Sequence, residues 1–174
     1  ASDVYKRQPQ IKHVSQLIGE HTRIFLYGFG SSGLAAQEFQ LRLLRLGMDA
    51  EAITELHQMV LNEARITNAC LVIGISLSGA TRELIDALDR AKARGAAVIY
   101  LTSSNAEREK RTYEEIVLAP VKKNLEYGNV ISPQFPILLI LDLIYAQLLK
   151  EDRRSTEAQY DTHIWERIKD YHVG

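Results

Sequence analysis

Length, composition and charge limit what this chain can be. It has 174 residues, of which 46% are hydrophobic and 25% are charged, which indicates one globular domain with a sizeable core and excludes extended disorder. A formal net charge of −1 excludes a broad basic surface for nucleic acid. Cys70 is the one cysteine, so no disulfide can form within the chain, and the longest apolar run, residues 135–146, is too short to span a bilayer. We expect a cytoplasmic protein with no membrane contact.

The first half of the chain alternates helical and extended patterns. Residues 1–10 are polar and show no period, so we interpret them as a linker, a remnant of expression or a frayed end. Apolar residues at helical spacing predict a helix from residue 11. The pattern then predicts a strand over 23–27, a glycine-rich loop over 28–33, a helix to about residue 46, a short strand over 50–53 and a helix over 56–64.

The second half continues this alternation. It predicts a strand over 70–76, a loop of hydroxyl residues, a helix to residue 94, a strand over 97–102, a strand over 115–119 and an apolar helix over 133–150. A final helix carrying Trp165 is predicted over 156–171. We assign residues 151–174 to a C-terminal helical tail that packs on the domain or on a partner chain.

The predicted strands are continuous apolar runs rather than alternating ones. Such runs are typical of a parallel sheet that helices cover on both faces, in a three-layer α/β/α sandwich. Right-handed crossovers place every strand-to-helix loop at one edge of such a sheet. Ligands of these sheets bind at that edge, outside the carboxyl ends of the strands. The loops that follow residues 27 and 75 both lie there.

Two loops at this edge are rich in hydroxyl groups. Their hydroxyl residues are Ser31 and Ser32 in the first loop, and Ser76, Ser78 and Thr81 in the second. Each loop runs into a predicted helix, whose first N–H groups and positive dipole end favour an anion. A glycine such as Gly30 permits a tight turn and a close approach of the backbone to a ligand. The pattern predicts a phosphate-binding site.

Two other interpretations of these loops stay open. Ser78 could act only as the N-cap of the helix that follows, which is compatible with ligand binding. Residues 28–33 also match the Gly-x-Gly-x-x-Gly spacing of dinucleotide-binding motifs, with Asp49 or Glu51 as the acid for a ribose, so a nicotinamide cofactor is an alternative. The loop lacks the Lys-Ser or Lys-Thr pair of a P-loop.

Both loops, with their flanking strands and helices, resemble a known family. The segments IFLYGFGSSGLAAQEFQLRLLRLG and VIGISLSGATRELIDALDRAKARGAAVIYLT are similar to the SIS (sugar isomerase) domain. The resemblance covers residues 11–150, which we therefore treat as the SIS domain. Its most specific part is the Ser-x-Ser-Gly-x-Thr loop, which implies that Leu77 contributes only its backbone. The ligand-binding residues that the resemblance implies are Gly30, Ser31, Ser32, Ser76, Leu77, Ser78 and Thr81.

The resemblance also implies an architecture and partners. SIS domains have a flavodoxin-like, five-stranded parallel sheet and associate as homodimers or tetramers. The segment GISLSGATRELIDALDRAKARGA is most similar to the effector domains of RpiR-type transcriptional regulators, which bind a phosphorylated sugar and carry an N-terminal helix-turn-helix domain. About 22 residues precede the first predicted strand, too few for that domain. We expect either an excised effector domain or a stand-alone SIS protein.

A sugar-phosphate isomerase is the alternative function. Aldose–ketose isomerisation needs a general base, usually a glutamate, and a histidine often helps to open the sugar ring. Small SIS isomerases of the phosphohexuloisomerase type carry the base just ahead of the last core helix, but residues 127–141 contain no carboxylate. Glu126 is the nearest candidate base, and His57, at the start of a helix, is the candidate histidine. The missing base favours binding over catalysis.

Metal ions, cofactors and direct DNA contact are not indicated. No spacing of His, Cys or carboxylate residues is typical of a metal site, so we expect no metal and no cofactor. The alternating charges of residues 107–111 are typical of a solvated helix face rather than of a nucleic-acid surface. The expected small-molecule partner is a sugar phosphate, and DNA would be reached only through a helix-turn-helix domain.

Overall fold

The computed structural model describes residues 2–77, 81–103, 111–119 and 134–152, with side chains from residue 7 onward. Five strands and five α-helices are present in these ranges, and a 3₁₀ turn, Glu63–Arg65, follows the third helix. In chain order they are α1 (Ser2–Glu20), β1 (Arg23–Gly28), α2 (Gly30–Arg45), β2 (Ala50–Ile53), α3 (Leu56–Asn62), β3 (Cys70–Ser76), α4 (Arg82–Ala93), β4 (Ala97–Thr102), β5 (Glu115–Leu118) and α5 (Phe135–Asp152).

The five strands form one parallel sheet in the order β2-β1-β3-β4-β5. This is the flavodoxin-like order, so the predicted fold class is confirmed. The direction in which strands are added reverses between β1 and β3, which makes that pair the topological switch point. Ligands of such sheets bind at the carboxyl ends of the two strands at the switch point. We call this side of the sheet the carboxyl edge.

Two apolar cores lie on opposite faces of the sheet. One joins the sheet to α1, α2 and α5, and the other joins it to α3 and α4. Side chains of β3 alternate between them, with Leu71, Ile73 and Ile75 in the first core and Cys70 and Val72 in the second. Both faces are therefore apolar, which explains why the strands read as continuous runs. Each fully buried aliphatic side chain stabilises the fold by about 2 kcal/mol.

The N-terminal residues are helical, which corrects the predicted linker. α1 runs over Ser2–Glu20, so residues 2–10 belong to the first helix and not to an irregular segment ahead of residue 11. The missing signal was apolar periodicity, and the two described side chains of this segment that bind the sheet, Arg7 and Gln10, are polar. The division of the chain into a domain and a C-terminal tail stays a prediction, because residues 153–174 lie outside the described residues.

Polar side chains of α1 bind the outermost strand, β5. Arg7 and Gln10 are three residues apart and so share a helix face. The Arg7 guanidinium donates to the carbonyl oxygen of Leu118, and Gln10 Nε2 donates to that of Ile116 at 3.0 Å. An edge strand presents unpaired backbone groups that can template aggregation. The first helix therefore covers the open edge that β5 would otherwise expose.

The described helices contain no candidate membrane span. None of them combines the length and the apolar composition that a crossing of the bilayer requires. α5 is the most apolar of the long helices, and it buries Ile137, Ile140 and Leu141 against the sheet. Its hydrophobicity is thus accounted for by the core.

Glu114 connects β4 with the segment that enters β5. Its carboxylate accepts hydrogen bonds from the Val98 N–H and from Lys92 Nζ, the latter at 2.9 Å. Burial of the carboxylate is the largest influence and raises the pKa of Glu114, but the hydrogen bonds from Val98, Lys92 and the backbone of Glu114, together with the charge of Lys92, hold this pKa below its ordinary value of 4.5. Because the pKa is depressed in the folded state, the stabilisation is present above pH 4.5 and is lost as the pH falls through the folded-state pKa.

We expect Glu114→Gln to lower the free energy of unfolding by about 1 kcal/mol at pH 7, because the charge-assisted bonds are lost from a partly exposed site. Urea unfolding of both proteins across the pH range would show the difference shrinking below pH 4.5. Glu38→Gln, which removes an exposed ion pair with Arg42, is the control and should cost less than about 0.5 kcal/mol. A difference that is constant with pH would contradict the assigned interaction.

Candidate functional site

The two loops that carry the predicted hydroxyl residues follow adjacent strands, which both end at the carboxyl edge. In the sheet register, Gly28 at the end of β1 stands opposite Ile75, and Ser76 at the end of β3 stands opposite Thr102 of β4. We call residues 28–33 the first loop and residues 76–81 the hydroxyl loop. The sheet therefore brings together residues that are more than 40 positions apart in sequence, as the pattern predicted.

The first loop is a tight turn that needs glycine at its start. A Cβ on Gly28 would lie 2.8 Å from the Ser32 carbonyl oxygen, and backbone at that distance cannot yield cheaply. Gly30 begins α2 at φ +53°, in the left-handed region that favours glycine. Phe29, the N-cap residue, makes no side-chain capping bond. The backbone of the first turn of α2 thus packs closely against Gly28 at the end of β1.

Ser31 and Ser32 take different positions on this first turn. Ser31 is exposed, whereas Ser32 is buried, with 7% of its surface exposed. The Ser32 Oγ accepts a hydrogen bond from the Leu77 N–H at 3.2 Å, and its own hydroxyl proton remains a donor. The predicted backbone contribution of Leu77 is therefore directed at Ser32 in this structure. The two loops are joined by a direct bond.

The end of β4 supplies two hydroxyl residues that sequence reasoning missed. Thr102 is fully buried beside Ser76, which is itself only 3% exposed, and the Ser103 hydroxyl donates to the carbonyl oxygen of Leu77. The sequence did contain a signal for them, because the strand predicted over 97–102 also ends at the carboxyl edge and hydroxyl residues stand at its end. The hydroxyl groups at this edge therefore come from three adjacent strands.

Thr81 occupies the N-cap position of α4. Its carbonyl oxygen accepts bonds from the N–H groups of Leu84 and Ile85, while its side chain makes no capping bond. The hydroxyl of Thr81 is thus not used to cap the helix. Arg82, the first residue of α4, is exposed next to it. Ser78, also predicted to bind the ligand, lies outside the described residues.

Of the two candidate catalytic residues, only His57 lies within the described part of the chain. His57 is exposed on the first turn of α3, at the carboxyl edge but following β2, which is the outer neighbour of β1. Glu126 lies outside the described residues. Within the described ranges, no group of three or more His, Cys, Asp or Glu side chains is arranged to hold a metal ion.

A buried tyrosine supports the first loop from below. Tyr27 precedes Gly28 in β1, and its hydroxyl accepts a hydrogen bond from Asn62 Nδ2 at 2.8 Å. Burial raises the pKa of Tyr27, against the hydrogen bond from Asn62, which lowers it. The phenol is therefore neutral at neutral pH. It fastens the end of β1 to the helix that follows β2.

The arrangement can bind an anion that carries hydroxyl groups. Its described hydroxyl groups are those of Ser31, Ser32, Ser76, Thr81 and Thr102, and α2 and α4 both begin at this edge with the positive ends of their dipoles. Hydroxyls both donate and accept, so they suit phosphate oxygens and sugar hydroxyls alike. Their ordinary pKa values make them poor general bases near neutral pH.

The sequence matches the family profile described as the SIS domain over residues 16–136. The chain belongs to the SIS domain family. The match contains both loops and the strands that carry them, which confirms the resemblance from which the site was predicted. The family profile identifies the domain and leaves the roles of individual residues as predictions.

Related SIS domains occur in transcriptional regulators. An uncharacterized HTH-type transcriptional regulator of Haemophilus influenzae is 31% identical over 141 residues, which are 81% of this chain and 49% of that protein. A second HTH-type regulator, from Clostridium perfringens, is 32% identical over 78% of this chain and 48% of its own length. The chain thus spans about half the length of these relatives.

Solved structures share the fold. The sugar isomerase domain of an RpiR transcription factor from Sphaerobacter thermophilus has a TM-score of 0.75 at 19% identity and covers 94% of this chain and 87% of that one. The Vibrio vulnificus NanR protein, complexed with ManNAc-6P, has a TM-score of 0.74 at 22% identity and covers 93% and 60%. A Methanococcus jannaschii protein, inferred to be a 3-hexulose-6-phosphate isomerase, has a TM-score of 0.66 at 19% identity and covers 84% and 79%.

Gly28→Ala should distort the SIS site through its backbone. The added Cβ meets the Ser32 carbonyl at 2.8 Å, so the first turn of α2 must shift, and we expect a loss of about 2 kcal/mol in the free energy of unfolding. Gly19→Ala in α1 is the matched control, because a Cβ there meets nothing within 4 Å and alanine favours the helix. Urea unfolding measures both. Equal stability of the two variants would contradict the described packing.

Proposed function

We propose that this SIS domain binds a phosphorylated sugar and senses it as the effector domain of an RpiR-type transcriptional regulator. The observation that carries the proposal is the convergence of hydroxyl groups from β1, β3 and β4 at the starts of α2 and α4. A phosphate placed there would accept from hydroxyls and from helix N–H groups at once. Ser76 and Thr81, with Ser78 between them, are the proposed phosphate ligands.

The first loop is proposed to meet the sugar. Ser31 is exposed at this edge and Ser32 keeps a hydroxyl proton to donate, so both can contact hydroxyl groups of a ligand that is anchored by its phosphate. Gly30 allows the backbone to come close. In the NanR structure, the bound ManNAc-6P is itself a sugar phosphate, which supports this class of ligand for the related fold.

The regulatory part of the proposal rests on the relatives. Two HTH-type regulators match this chain over about half of their own length, and the RpiR transcription factor domain covers 94% of it. In such a protein the SIS domain would not contact DNA; the bound state would pass to a helix-turn-helix domain. We extend the proposal to a cytoplasmic location, because the HTH-type relatives come from bacteria, in which the DNA lies in the cytoplasm.

We extend the proposal to a homodimer or tetramer. In the described part of the chain, large hydrophobic side chains are exposed on three helices, and on α2 two of them, Leu34 and Leu41, are seven residues apart and share a face. Leu34 is 57% exposed and Leu61 of α3 is 62% exposed. Exposed apolar surface of this kind is typical of protein interfaces. Contact between copies would cover it.

An isomerase is the second candidate function. It is supported by the fold of the Methanococcus jannaschii protein, inferred to be a 3-hexulose-6-phosphate isomerase. In this chain Glu126 would be the base and His57 would assist ring opening. His57 is exposed in one copy of the chain, so it would act from the surface. The clustered hydroxyls bind but do not abstract protons, which favours the sensor.

We expect Thr81→Val to separate binding from folding. The Thr81 hydroxyl does not cap α4, so its removal should change the free energy of unfolding by less than about 0.5 kcal/mol. A lost hydrogen bond to a phosphate should weaken affinity about tenfold or more. Thermal shifts with a panel of hexose and amino-sugar 6-phosphates would find the ligand, because binding raises stability by mass action. Calorimetry would then give both affinities.

The control for this experiment is Thr112→Val. Thr112 is an exposed threonine ahead of β5, at the opposite edge of the sheet, and its substitution should leave affinity unchanged. Equal affinity of the Thr81 variant and the wild type would show that Thr81 is no phosphate ligand. A panel in which no sugar phosphate shifts the unfolding temperature would contradict both candidate functions.

Catalysis is tested by turnover. We expect the wild-type chain to convert neither hexose 6-phosphates nor hexulose 6-phosphates, because no described group at the hydroxyl cluster is a suitable base. Proton exchange at C2 followed by NMR would detect even slow enolisation. Turnover that disappears in Glu126→Gln but persists in the surface variant Glu38→Gln would establish the isomerase and refute the sensor.

A further inference from the structure

We propose that Ser103 is a positioning residue that fixes the Leu77 peptide beside the proposed anion site. This inference rests on the proposed function and adds a residue to it. Ser103 belongs to neither predicted loop, and it follows β4 at the carboxyl edge. Its role is to hold the carbonyl group of Leu77, the residue that follows β3.

The Leu77 residue is bound from both sides. Its N–H donates to Ser32 Oγ at 3.2 Å, and its carbonyl oxygen accepts from the Ser103 hydroxyl. The side chain of Leu77 packs against the core formed with α1, α2 and α5. Donor, acceptor and side chain of one residue are thus all engaged, by the first turn of α2, by the end of β4 and by the core. Leu77 is the last residue before the part of the loop that is proposed to approach a ligand.

The hydroxyl of Ser103 acts on the loop rather than on the anion. A hydroxyl has one proton, and that of Ser103 is donated to Leu77. Fixing this peptide before binding removes part of the conformational entropy that an anion would otherwise have to offset. Ser103→Ala removes this hydrogen bond, so the loss should appear both in the exchange rate of the Leu77 amide and in affinity.

The experiment uses inorganic phosphate as the probe, titrated into the chain and followed by amide NMR, together with hydrogen exchange at the Leu77 amide. We expect Ser103→Ala to weaken phosphate binding about threefold to fivefold, corresponding to one ordinary hydrogen bond, and to speed exchange of the Leu77 N–H. Ser103→Thr keeps the hydroxyl and should restore both readouts, which a loss of packing alone would not allow.

Thr22→Ala is the matched control. The Thr22 hydroxyl also donates to a backbone carbonyl next to β3, that of Ala69, at 3.4 Å, but at the opposite edge of the sheet. Its removal should change neither readout. This control shows whether any lost bond beside β3 would have the same effect.

The outcomes are distinct for the two proposals. Weaker phosphate binding with unchanged Leu77 exchange would mean that Ser103 contacts the anion directly, and would overturn the positioning role. Unchanged exchange and unchanged affinity would overturn it as well. Absence of phosphate and sugar-phosphate binding in the wild type would refute the proposed function, and the exchange rate at Leu77 would still decide whether Ser103 fixes that peptide.

Discussion

The parallel pairing of β1 with β3 places the starts of the first loop and of the hydroxyl loop next to each other. These strands are far apart in sequence but adjacent in the sheet, and Gly28 stands opposite Ile75. The direction in which strands are added reverses between them, so α2 and α4, the helices that follow the two strands, pack on opposite faces of the sheet. The bond from the Leu77 N–H to Ser32 spans that junction. Every proposed ligand contact depends on this register.

Glycine and hydroxyl residues contribute differently to the candidate site: glycine permits a close approach of the backbone, and the hydroxyl residues supply polar groups. A Cβ on Gly28 would lie 2.8 Å from the Ser32 carbonyl oxygen. Glycine at this position therefore lets α2 begin directly after β1. The hydroxyls then face an environment in which two helix dipoles favour negative charge. We propose that such a site would stabilise an anion without moving a proton, which is the physical basis for proposing a sensor rather than an isomerase.

Most strands and helices of the fold could be predicted from the sequence, because buried strands are continuous apolar runs and amphipathic helices carry apolar residues at helical spacing. Glycine after a helix is a further local signal, and Gly47, just after α2, adopts φ +74°. The helical nature of residues 2–10 was missed because Arg7 and Gln10 bind the backbone of β5, a tertiary contact without a sequence period. Ser103 was missed for a related reason: its role exists only once β4 is placed beside β3.

The most direct test of the account is a map of where a sugar phosphate binds. Amide chemical shifts of the chain would be followed during titration with ManNAc-6P and, in parallel, with the unphosphorylated sugar. With ManNAc-6P or another hexosamine or hexose 6-phosphate, we expect saturable shifts concentrated at Gly30, Ser32, Leu77 and Thr81. With the neutral sugars we expect no shifts. Shifts centred outside the carboxyl edge, or equal responses to neutral and phosphorylated sugars, would contradict the account.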